Sequence, residues 1–218
     1  MTRRVARAAF RAMSTTIEVT GVGVSPATVE AATRRGQEFA AAWEQTFSRF
    51  RPDSELSRLN TAPGQAAPVS ETFLAVLDLA LAGMRLTDGR FDPTILPALE
   101  AAGYDRDFDA VRTNLIVLDR PPPPLGVGDV NAVEIDRDRR IVRLPAGVRL
   151  DLGGIAKGVF VDRLAAEFAD WPGGCVDAGG DLSLWGTPPS GAWWLVGIED
   201  PARPDTDRLV AEVHRPAI

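Results

Sequence analysis

The segment that most constrains this chain is the octet formed by residues 151–158, which reads DLGGIAKG. Apolar β-type residues at 141–144 and 148–150 precede it, and apolar residues at helical spacing follow it over residues 155–171. A strand, a glycine pair and a helix start bring free backbone N–H groups and the positive end of a helix dipole to one point, which suits a phosphate. A plain strand-to-helix turn explains the octet about equally well, because short glycine motifs are common by chance.

Four residues of this octet carry the chemistry that a phosphate site would need. Gly153 and Gly154 have no Cβ, so a ligand can approach the backbone closely. Lys157 adds a positive charge within the first helical turn, and Asp151 places a carboxylate where a metal ion or a ligand hydroxyl could be met. If the octet is only a structural turn, Lys157 is instead a surface lysine without a ligand.

Net charge and single-residue counts exclude several kinds of site. The 218 residues have a net charge of −6 and a pI near 4.9, whereas nucleic-acid binding usually requires a basic face, so we expect no nucleic-acid partner. Cys175 is the only cysteine and His214 the only histidine, so no intramolecular disulfide can form. Catalytic Ser-His-Asp or Cys-His sites and His/Cys zinc sites are likewise not supported. We predict that the Cys175 thiol is buried and inert.

The sequence contains no segment with the roughly 18 consecutive apolar residues of a membrane span. The basic N-terminal residues 1–11 lack the apolar core of a signal peptide. We therefore expect no membrane span and a cytoplasmic location.

Hydrophobic periodicity and breaker residues predict an α+β fold with a helical first half and a β-rich second half. The first half, residues 1–120, begins with a strand over 9–20 and continues with helices over about 26–50, 54–60, 70–87 and 95–102. Prolines 121–124 predict an extended linker. The second half, residues 121–218, contains a hairpin at 133–136 and 141–144, the octet, and strands at 175–177, 182–186 and 193–198.

Aromatic spacing and helix-capping residues add detail to the prediction for the helical half. Phe39, Trp43 and Phe47 recur on one helix face, which predicts core packing, whereas Phe50 lies at the helix end and is expected to play a different role. Residues 54–57 (SELS) form a capping-box pattern, and Ser70 is the expected N-cap of the next helix.

Motifs along nearly the whole chain resemble, in the same order, those of the ApbE-type FAD:protein FMN transferases, a family first described as thiamine-biosynthesis lipoproteins. Residues 47–60 (FSRFRPDSELSRLN) are close to the family pattern Ser-x-Tyr-x-x-x-Ser-Glu-Leu-Ser-x-Leu-Asn, and residues 87–94 (TDGRFDPT) resemble Asp-Gly-Ala-Phe-Asp-Pro-Thr. The series is completed by MST at 13–15, the octet, VDAGGD at 176–181 and the strand at 194–201. No single motif is decisive, but five or six in register argue against chance agreement.

The resemblance implies a flavin transferase with an ApbE-like fold, in which a mixed β-sheet and packed helices form one intertwined domain. Enzymes of this family bind FAD as a substrate, cleave its pyrophosphate with a divalent metal such as Mg²⁺, and attach the FMN half to a Ser or Thr of a target flavoprotein. Some members mainly release FMN and AMP. A glycine pair at a helix start suits such a pyrophosphate, and a metal would offset charge at the phosphoryl group under attack.

Carried over position by position, the resemblance assigns site residues but no catalytic residue. The flavin or adenine would be lined by Met13 and Phe50, and the dinucleotide would be touched by Arg90, Phe91 and Asp92. FAD would be held by Asp151 and Lys157, and the metal would be bound by the Gly154 carbonyl. Phe50 stands where the family often has Tyr, which keeps stacking but removes a hydroxyl contact. Arg90 replaces a small residue, where it would add a phosphate contact or crowd the pocket.

The resemblance covers about the first two-thirds of the family pattern. The family continues with Ala-Thr-Ser-Gly, a His-x-x-Asp-Pro-x-Thr-Gly motif and further metal ligands, whereas this sequence stops at Ile218, where Ala-Thr-Ser-Gly would begin. We expect a C-terminally truncated member whose transfer activity alone is impaired. The alternatives are a non-catalytic FAD- or FMN-binding module and a fragment that needs a partner chain. No strand would then follow the one at 193–198, and its unpaired edge would favour dimers or aggregates.

Overall fold

The computed structural model of the chain describes residues 3–105, 129–200 and 202–214. Within these residues, the helices are α1 (Pro26–Phe47), α2 (Glu55–Asn60), α3 (Glu71–Leu86), α4 (Leu96–Ala101) and α5 (Gly153–Ala166), with a 3-10 helix at Val130–Ala132. The strands are β1 (Val5–Ala12), β2 (Thr15–Val22), β3 (Ala66–Pro68), β4 (Glu134–Asp136), β5 (Ile141–Arg143), β6 (Gly173–Ala178), β7 (Asp181–Gly186), β8 (Trp194–Asp200) and β9 (Arg203–Val213). The predicted α+β class is confirmed. Of the helices in the described ranges, none combines the length and apolar character needed to cross a membrane.

Contacts between Cα atoms divide the chain into two compact units. Unit 1 comprises Met1–Phe39 and Phe160–Ile218, and unit 2 comprises Ala40–Val159. The linker predicted at residues 121–124 and the boundary predicted after residue 120 lie outside the described residues. That division of the sequence therefore stays a prediction.

Unit 1 begins with a β-hairpin, which corrects the single strand predicted over residues 9–20. β1 and β2 pair antiparallel from Val5 opposite Val22 to Ala12 opposite Thr15, so Met13 and Ser14 alone form the turn. Both turn residues have positive φ, 50° and 58°, a conformation that matches the turn to the twist of the strands. The turn was missed because Met and Ser are not the residues that usually signal positive φ.

The main sheet of unit 1 has the strand order β1-β2-β6-β7. All strand pairs in the described residues are antiparallel, in place of the predicted mixed sheet. Two of these pairs, β1–β2 and β6–β7, are joined by two-residue turns, and such short connections can only reverse the chain. Ile17, Val19 and Val176 lie on one face of the sheet and are fully buried.

β8 and β9 form a separate two-stranded antiparallel sheet in unit 1. It packs on the main sheet through a buried cluster of Val22, Leu184 and Trp194, with Cys175, Val196 and Val213 partly buried beside them. β9 corrects the expectation that no strand follows β8. It was missed because its first half is polar and contains a proline. Self-association of the chain stays a prediction.

In unit 2, serines begin two helices as predicted. The Oγ of Ser54 accepts a hydrogen bond from the Ser57 N–H (3.0 Å), and the Oγ of Ser70 accepts one from the Phe73 N–H (3.1 Å). The capping box is only half formed, because the Ser57 hydroxyl donates to the Ser48 carbonyl (3.4 Å) rather than returning to the start of its own helix.

Aromatic residues of α1 pack as predicted. Trp43 and Phe47 are buried, and their ring centroids lie 4.6 Å apart. In unit 1, Phe39 stacks on Phe160 at 5.3 Å. Phe50, beyond the end of α1, is 36% exposed, and the different role expected of it stays a prediction.

The predicted hairpin at 133–136 and 141–144 is confirmed, since β4 and β5 pair antiparallel with β3 on the other side of β5. Residues 148–150, predicted as β-like, form no strand. The side chain of Asn60 takes the place of a neighbouring strand: its Nδ2 donates to the Leu150 carbonyl (2.8 Å), and its Oδ1 accepts the Leu150 N–H (2.7 Å). The buried backbone of Leu150 is thus fully paired without a sheet.

Candidate functional site

The octet forms a tight turn at the start of α5. The Asp151 N–H donates to the Pro93 carbonyl (2.8 Å), and the Asp151 Oδ1 accepts the N–H of Gly153, the first residue of the helix (2.8 Å). The carboxylate therefore lies at the positive end of the helix dipole, where a negative group is stabilised. The helix ends at Ala166, earlier than the periodicity of residues 155–171 predicts.

Most N–H groups at this helix start already have partners within the protein. Gly153 donates to Asp151, and Ile155 and Ala156 both donate to the Leu152 carbonyl. In the part of the chain that the structure describes, no partner is present for the Gly154 N–H, and Gly154 is exposed. The helix start therefore offers a ligand one backbone donor rather than the four that an uncapped helix would offer.

Asp151 is paired with a buried arginine. Its Oδ2 lies 2.8 Å from the Nε of Arg49, and the side chains of Arg49 and Asp151 are only 8% and 12% exposed. Burying two charges costs hydration energy, which is offset only when the geometry is good and the remaining polar atoms are satisfied. Asp151 and Arg49 thus form an ion pair with no net charge, in which one carboxylate oxygen contacts Arg49 and the other accepts the N–H at the helix start.

The guanidinium of Arg49 contacts two aromatic rings. Its guanidinium carbon lies 4.3 Å from the ring centroid of Phe50 and 4.4 Å from that of Tyr104, and its Nη2 donates to the Tyr104 carbonyl (2.7 Å). Cation–π contacts with both rings stabilise the buried charge. Because Phe50 keeps 36% of its surface exposed, a flat ligand ring can reach it. Its predicted contact with a flavin or adenine stays a prediction.

Phe91 packs against glycines of two helices. A Cβ added to Gly154 would lie 3.1 Å from the Phe91 Cε2, and one added to Gly83 would lie 3.4 Å from its Cδ1. Gly154 therefore lets the Phe91 ring approach α5 closely, a packing role that the sequence did not predict. The predicted contact of Phe91 with the dinucleotide stays a prediction.

The loop between α3 and α4 carries Arg90 and Asp92. The Asp92 Oδ1 accepts both the N–H (2.8 Å) and the Oγ1 hydroxyl (2.7 Å) of Thr94, which is fully buried. This carboxylate thus shapes the turn whose Pro93 carbonyl binds the Asp151 N–H. Arg90 is exposed. Contacts of Arg90 and Asp92 with the dinucleotide remain predictions.

Lys157 is the only lysine of the chain, and the other 23 of its 24 Lys and Arg residues are arginines. It is half-buried and lies in α5, one turn after Gly153. A lysine provides a compact charge that an arginine fork does not reproduce. The position of the single lysine beside the glycine pair favours a specific requirement for it there.

Met13 lies in unit 1, in the turn between β1 and β2. The other predicted site residues all belong to unit 2. Within unit 2, contacts link Phe50 through Arg49 to Asp151, and they link Phe91 to Gly154.

The described residues contain no cluster of side chains that by itself marks a metal site. In residues 3–105, 129–200 and 202–214, no three His, Cys, Asp or Glu side chains lie close enough together to hold a metal ion. Asp151 already has one oxygen on Arg49 and the other on Gly153. Magnesium usually needs carboxylates together with further oxygen ligands, so the Gly154 carbonyl as a metal ligand stays a prediction.

Cys175, in β6 of unit 1, has the properties of an inert thiol. Burial and, to a smaller extent, the negative charge of the nearby Asp177 raise the pKa of the Cys175 thiol to about 12. At pH 8, we expect iodoacetamide to alkylate the native protein about a thousandfold more slowly than the urea-unfolded protein, because the thiolate is the reactive form. Mass spectrometry of timed samples measures both rates, and equal rates would show an accessible thiolate.

Sequence reasoning missed three residues of this site: Arg49, Asn60 and Tyr104. Arg49 and Asn60 lie inside the 47–60 motif, which was the signal that could have found them. Their roles depend on distant partners, since Asn60 and Leu150 are 90 residues apart. Tyr104 follows α4 and carries no local signal of its contact with Arg49.

Comparison of the sequence with known families and proteins gives consistent matches. The sequence model of the ApbE family matches residues 13–218. The FAD:protein FMN transferase of Treponema pallidum (strain Nichols) is 32% identical over 177 residues, which is 72% of this chain and 47% of that protein. The chain spans about half the length of the curated relatives it matches.

Solved structures of ApbE proteins share the fold. The ApbE protein of Thermotoga maritima MSB8 superposes with a TM-score of 0.77 at 26% identity, covering 97% of this chain and 68% of that chain. The apo form of the Pseudomonas stutzeri flavinyl transferase ApbE gives 0.76 at 21% identity, covering 98% and 69%. The predicted ApbE-like fold is confirmed.

Proposed function

The chain belongs to the ApbE family, and we propose that it binds FAD, breaks the FAD pyrophosphate and transfers the FMN half to a Ser or Thr of a target flavoprotein. The observation that carries the proposal is the family match over residues 13–218, which includes the whole site of unit 2. The Treponema pallidum relative is named for this reaction.

The start of α5 is where the pyrophosphate would bind. The exposed Gly154 N–H is a donor for a phosphate oxygen, and Lys157 supplies a positive charge one turn further along the helix. Because Arg49 neutralises Asp151, this carboxylate can accept a ligand hydroxyl without repelling the phosphates. The exposed part of Phe50 is available to stack on the flavin or the adenine.

In the proposed reaction, the acceptor hydroxyl oxygen attacks the phosphorus of the FMN half, and the bond from that phosphorus to the bridging oxygen breaks. AMP leaves with the bonding electron pair, and the hydroxyl proton passes to a base or to water. Lys157 and the Gly154 N–H would offset negative charge on the phosphate oxygens. A requirement for Mg²⁺ is a separate part of the proposal and rests on the family resemblance alone.

Two measurements on the purified chain test the proposal. Titration calorimetry should show FAD binding in the range of about tens of micromolar or tighter, with NAD at least about tenfold weaker as the matched dinucleotide. Incubation with FAD, Mg²⁺ and a Ser/Thr acceptor peptide should then release AMP and flavinylate the peptide only slowly, because impaired transfer is expected of this chain alone, and a parallel incubation without Mg²⁺ tests the metal requirement. A folded chain that does not bind FAD would refute the proposal. Binding without AMP release would support a flavin-binding module without turnover.

Lys157→Ala should weaken FAD binding by about 1–3 kcal/mol, the range for hydrogen bonds that involve a charged group. The unfolding free energy of the ligand-free protein should change by less than about 1 kcal/mol, because a charge that solvent reaches adds little to folding even where it is paired. Arg163→Ala is the matched control, since it removes the same charge from the last turn of the same helix. A large loss of stability with unchanged affinity would instead make Lys157 structural.

Because Lys157 is the only lysine, an amine-reactive acylating reagent can modify only its side chain and the α-amino group. Saturating FAD should slow acylation of Lys157 and leave the α-amino group unchanged. Peptide mass spectrometry measures both sites in one sample, so the α-amino group is an internal control.

A further inference from the structure

Asp151 and the preceding Leu150 are held in unit 2 by three residues that are distant in the sequence. The Pro93 carbonyl accepts the Asp151 N–H, and Asn60 holds both backbone groups of the preceding Leu150. Arg49 binds the carboxylate itself. Pro93 and Asn60 therefore place the backbone, and Arg49 together with the Gly153 N–H orients the side chain.

Arg49 is itself firmly anchored. The Ser54 hydroxyl donates to the Ser48 carbonyl (2.7 Å), and the Ser57 hydroxyl lies 3.4 Å from the carbonyls of both Ser48 and Arg49. Ser54 is fully buried. At the other end of the side chain, Tyr104 accepts from Nη2 and stacks on the guanidinium. The serines of the 47–60 motif thus fix the backbone from which Arg49 reaches Asp151.

The pairing has two consequences for a negatively charged ligand. With Oδ2 on Arg49 and Oδ1 on the Gly153 N–H, the carboxylate cannot rotate away from the helix start. Its charge is also neutralised at short range in a nearly buried setting, where solvent screens little. An unpaired Asp151 carboxylate beside Gly154 would repel a pyrophosphate.

We infer that Arg49 is a positioning residue of the flavin-nucleotide site, which acts through Asp151 by holding its carboxylate at the start of α5 and neutralising it. The inference rests on the FAD binding proposed above. Arg49 touches Asp151, Phe50 and Tyr104, and it needs no contact with FAD for this role.

A double-mutant cycle tests the inference. FAD affinity is measured by titration calorimetry for Arg49→Met, Asp151→Asn and the double variant, with folding checked by circular dichroism. Arg49→Met should weaken FAD binding roughly ten- to a hundredfold, as expected for a charged hydrogen bond. In the Asp151→Asn background the same change should cost less than about threefold, because no carboxylate remains to be held. Arg49→Lys, which keeps the charge but loses the planar fork, should recover part of the affinity.

A second probe separates the charge effect from general damage. Riboflavin has no phosphate, so Arg49→Met should weaken riboflavin binding less than FAD binding. Arg137→Met is the matched control: it removes the same charge from an exposed ion pair with Asp78 in unit 2 and should leave FAD affinity unchanged. Should Arg49→Met fail to fold, Arg49→Lys replaces it in the same cycle.

The outcomes distinguish failure of the proposed FAD binding from failure of the proposed role of Arg49. Wild-type protein that does not bind FAD overturns the proposed function and, with it, the role of Arg49. Wild-type binding with an additive cycle, or with equal losses for riboflavin and FAD, overturns the role of Arg49 alone. A coupled cycle with the larger loss for FAD supports it.

Discussion

Replacing Asn60 by Leu should lower the free energy of unfolding by about 2–6 kcal/mol. Leucine has a similar size but can neither donate to the Leu150 carbonyl nor accept its N–H. Each of these two buried backbone groups would lose its partner, at a cost of about 1–3 kcal/mol apiece. Urea denaturation followed by circular dichroism measures the change.

Asn131→Ala is the control for Asn60→Leu. Asn131 is exposed, and its amide donates only to the neighbouring Asp129 (3.1 Å), so its loss should change stability by no more than about 0.5 kcal/mol. Equal unfolding midpoints for the two variants would show that Asn60 does not hold Leu150. Because Leu150 precedes Asp151, Asn60→Leu should also weaken FAD binding in protein that remains folded.

Gly186→Ala should destabilise unit 1 by about 2–5 kcal/mol. Gly186 ends β7 opposite Gly173 of β6, and its φ is +61°. A Cβ there would lie 2.3 Å from the Pro172 carbonyl oxygen and 2.7 Å from the Gly173 Cα, both backbone atoms that cannot turn aside. The left-handed conformation costs alanine about 1–2 kcal/mol and the overpacking about 1–3 kcal/mol.

Gly191→Ala separates these two costs. Gly191 has a φ of +80°, and a Cβ there would meet no heavy atom of the described chain within 4 Å. We expect only the conformational cost of about 1–2 kcal/mol for this variant. If urea denaturation gives the same loss of unfolding free energy for both variants, the close approach of β6 and β7 adds no overpacking cost to a side chain at Gly186.

Several features follow from the sequence because they depend on neighbouring residues. Ser70 caps α3 since its hydroxyl meets an N–H three residues on, and β4 and β5 pair across the short turn that follows Asp136. The aromatic residues of α1 lie on one face because of helical periodicity. The motif order likewise predicted the family, which the match over residues 13–218 confirms.

Local patterns failed where the chain used an unusual residue or a distant partner. The hairpin turn at Met13 and Ser14 has positive φ without the usual turn residues. Residues 148–150 have the apolar pattern of a strand, yet a side chain from α2 pairs with the backbone of Leu150. Periodicity reports which positions are apolar, but it does not report which polar group satisfies the backbone beside them.

The sequence by itself determined the α+β class, the start of a helix beside Gly153, and the presence there of Asp151 and the single lysine. Only the tertiary structure decided that Asp151 is neutralised by Arg49 and that Asn60 holds the residue before it. The physical reason is that hydrogen bonds and ion pairs act over a few ångströms in space. Residues 90 positions apart, such as Asn60 and Leu150, meet only through the path of the folded chain.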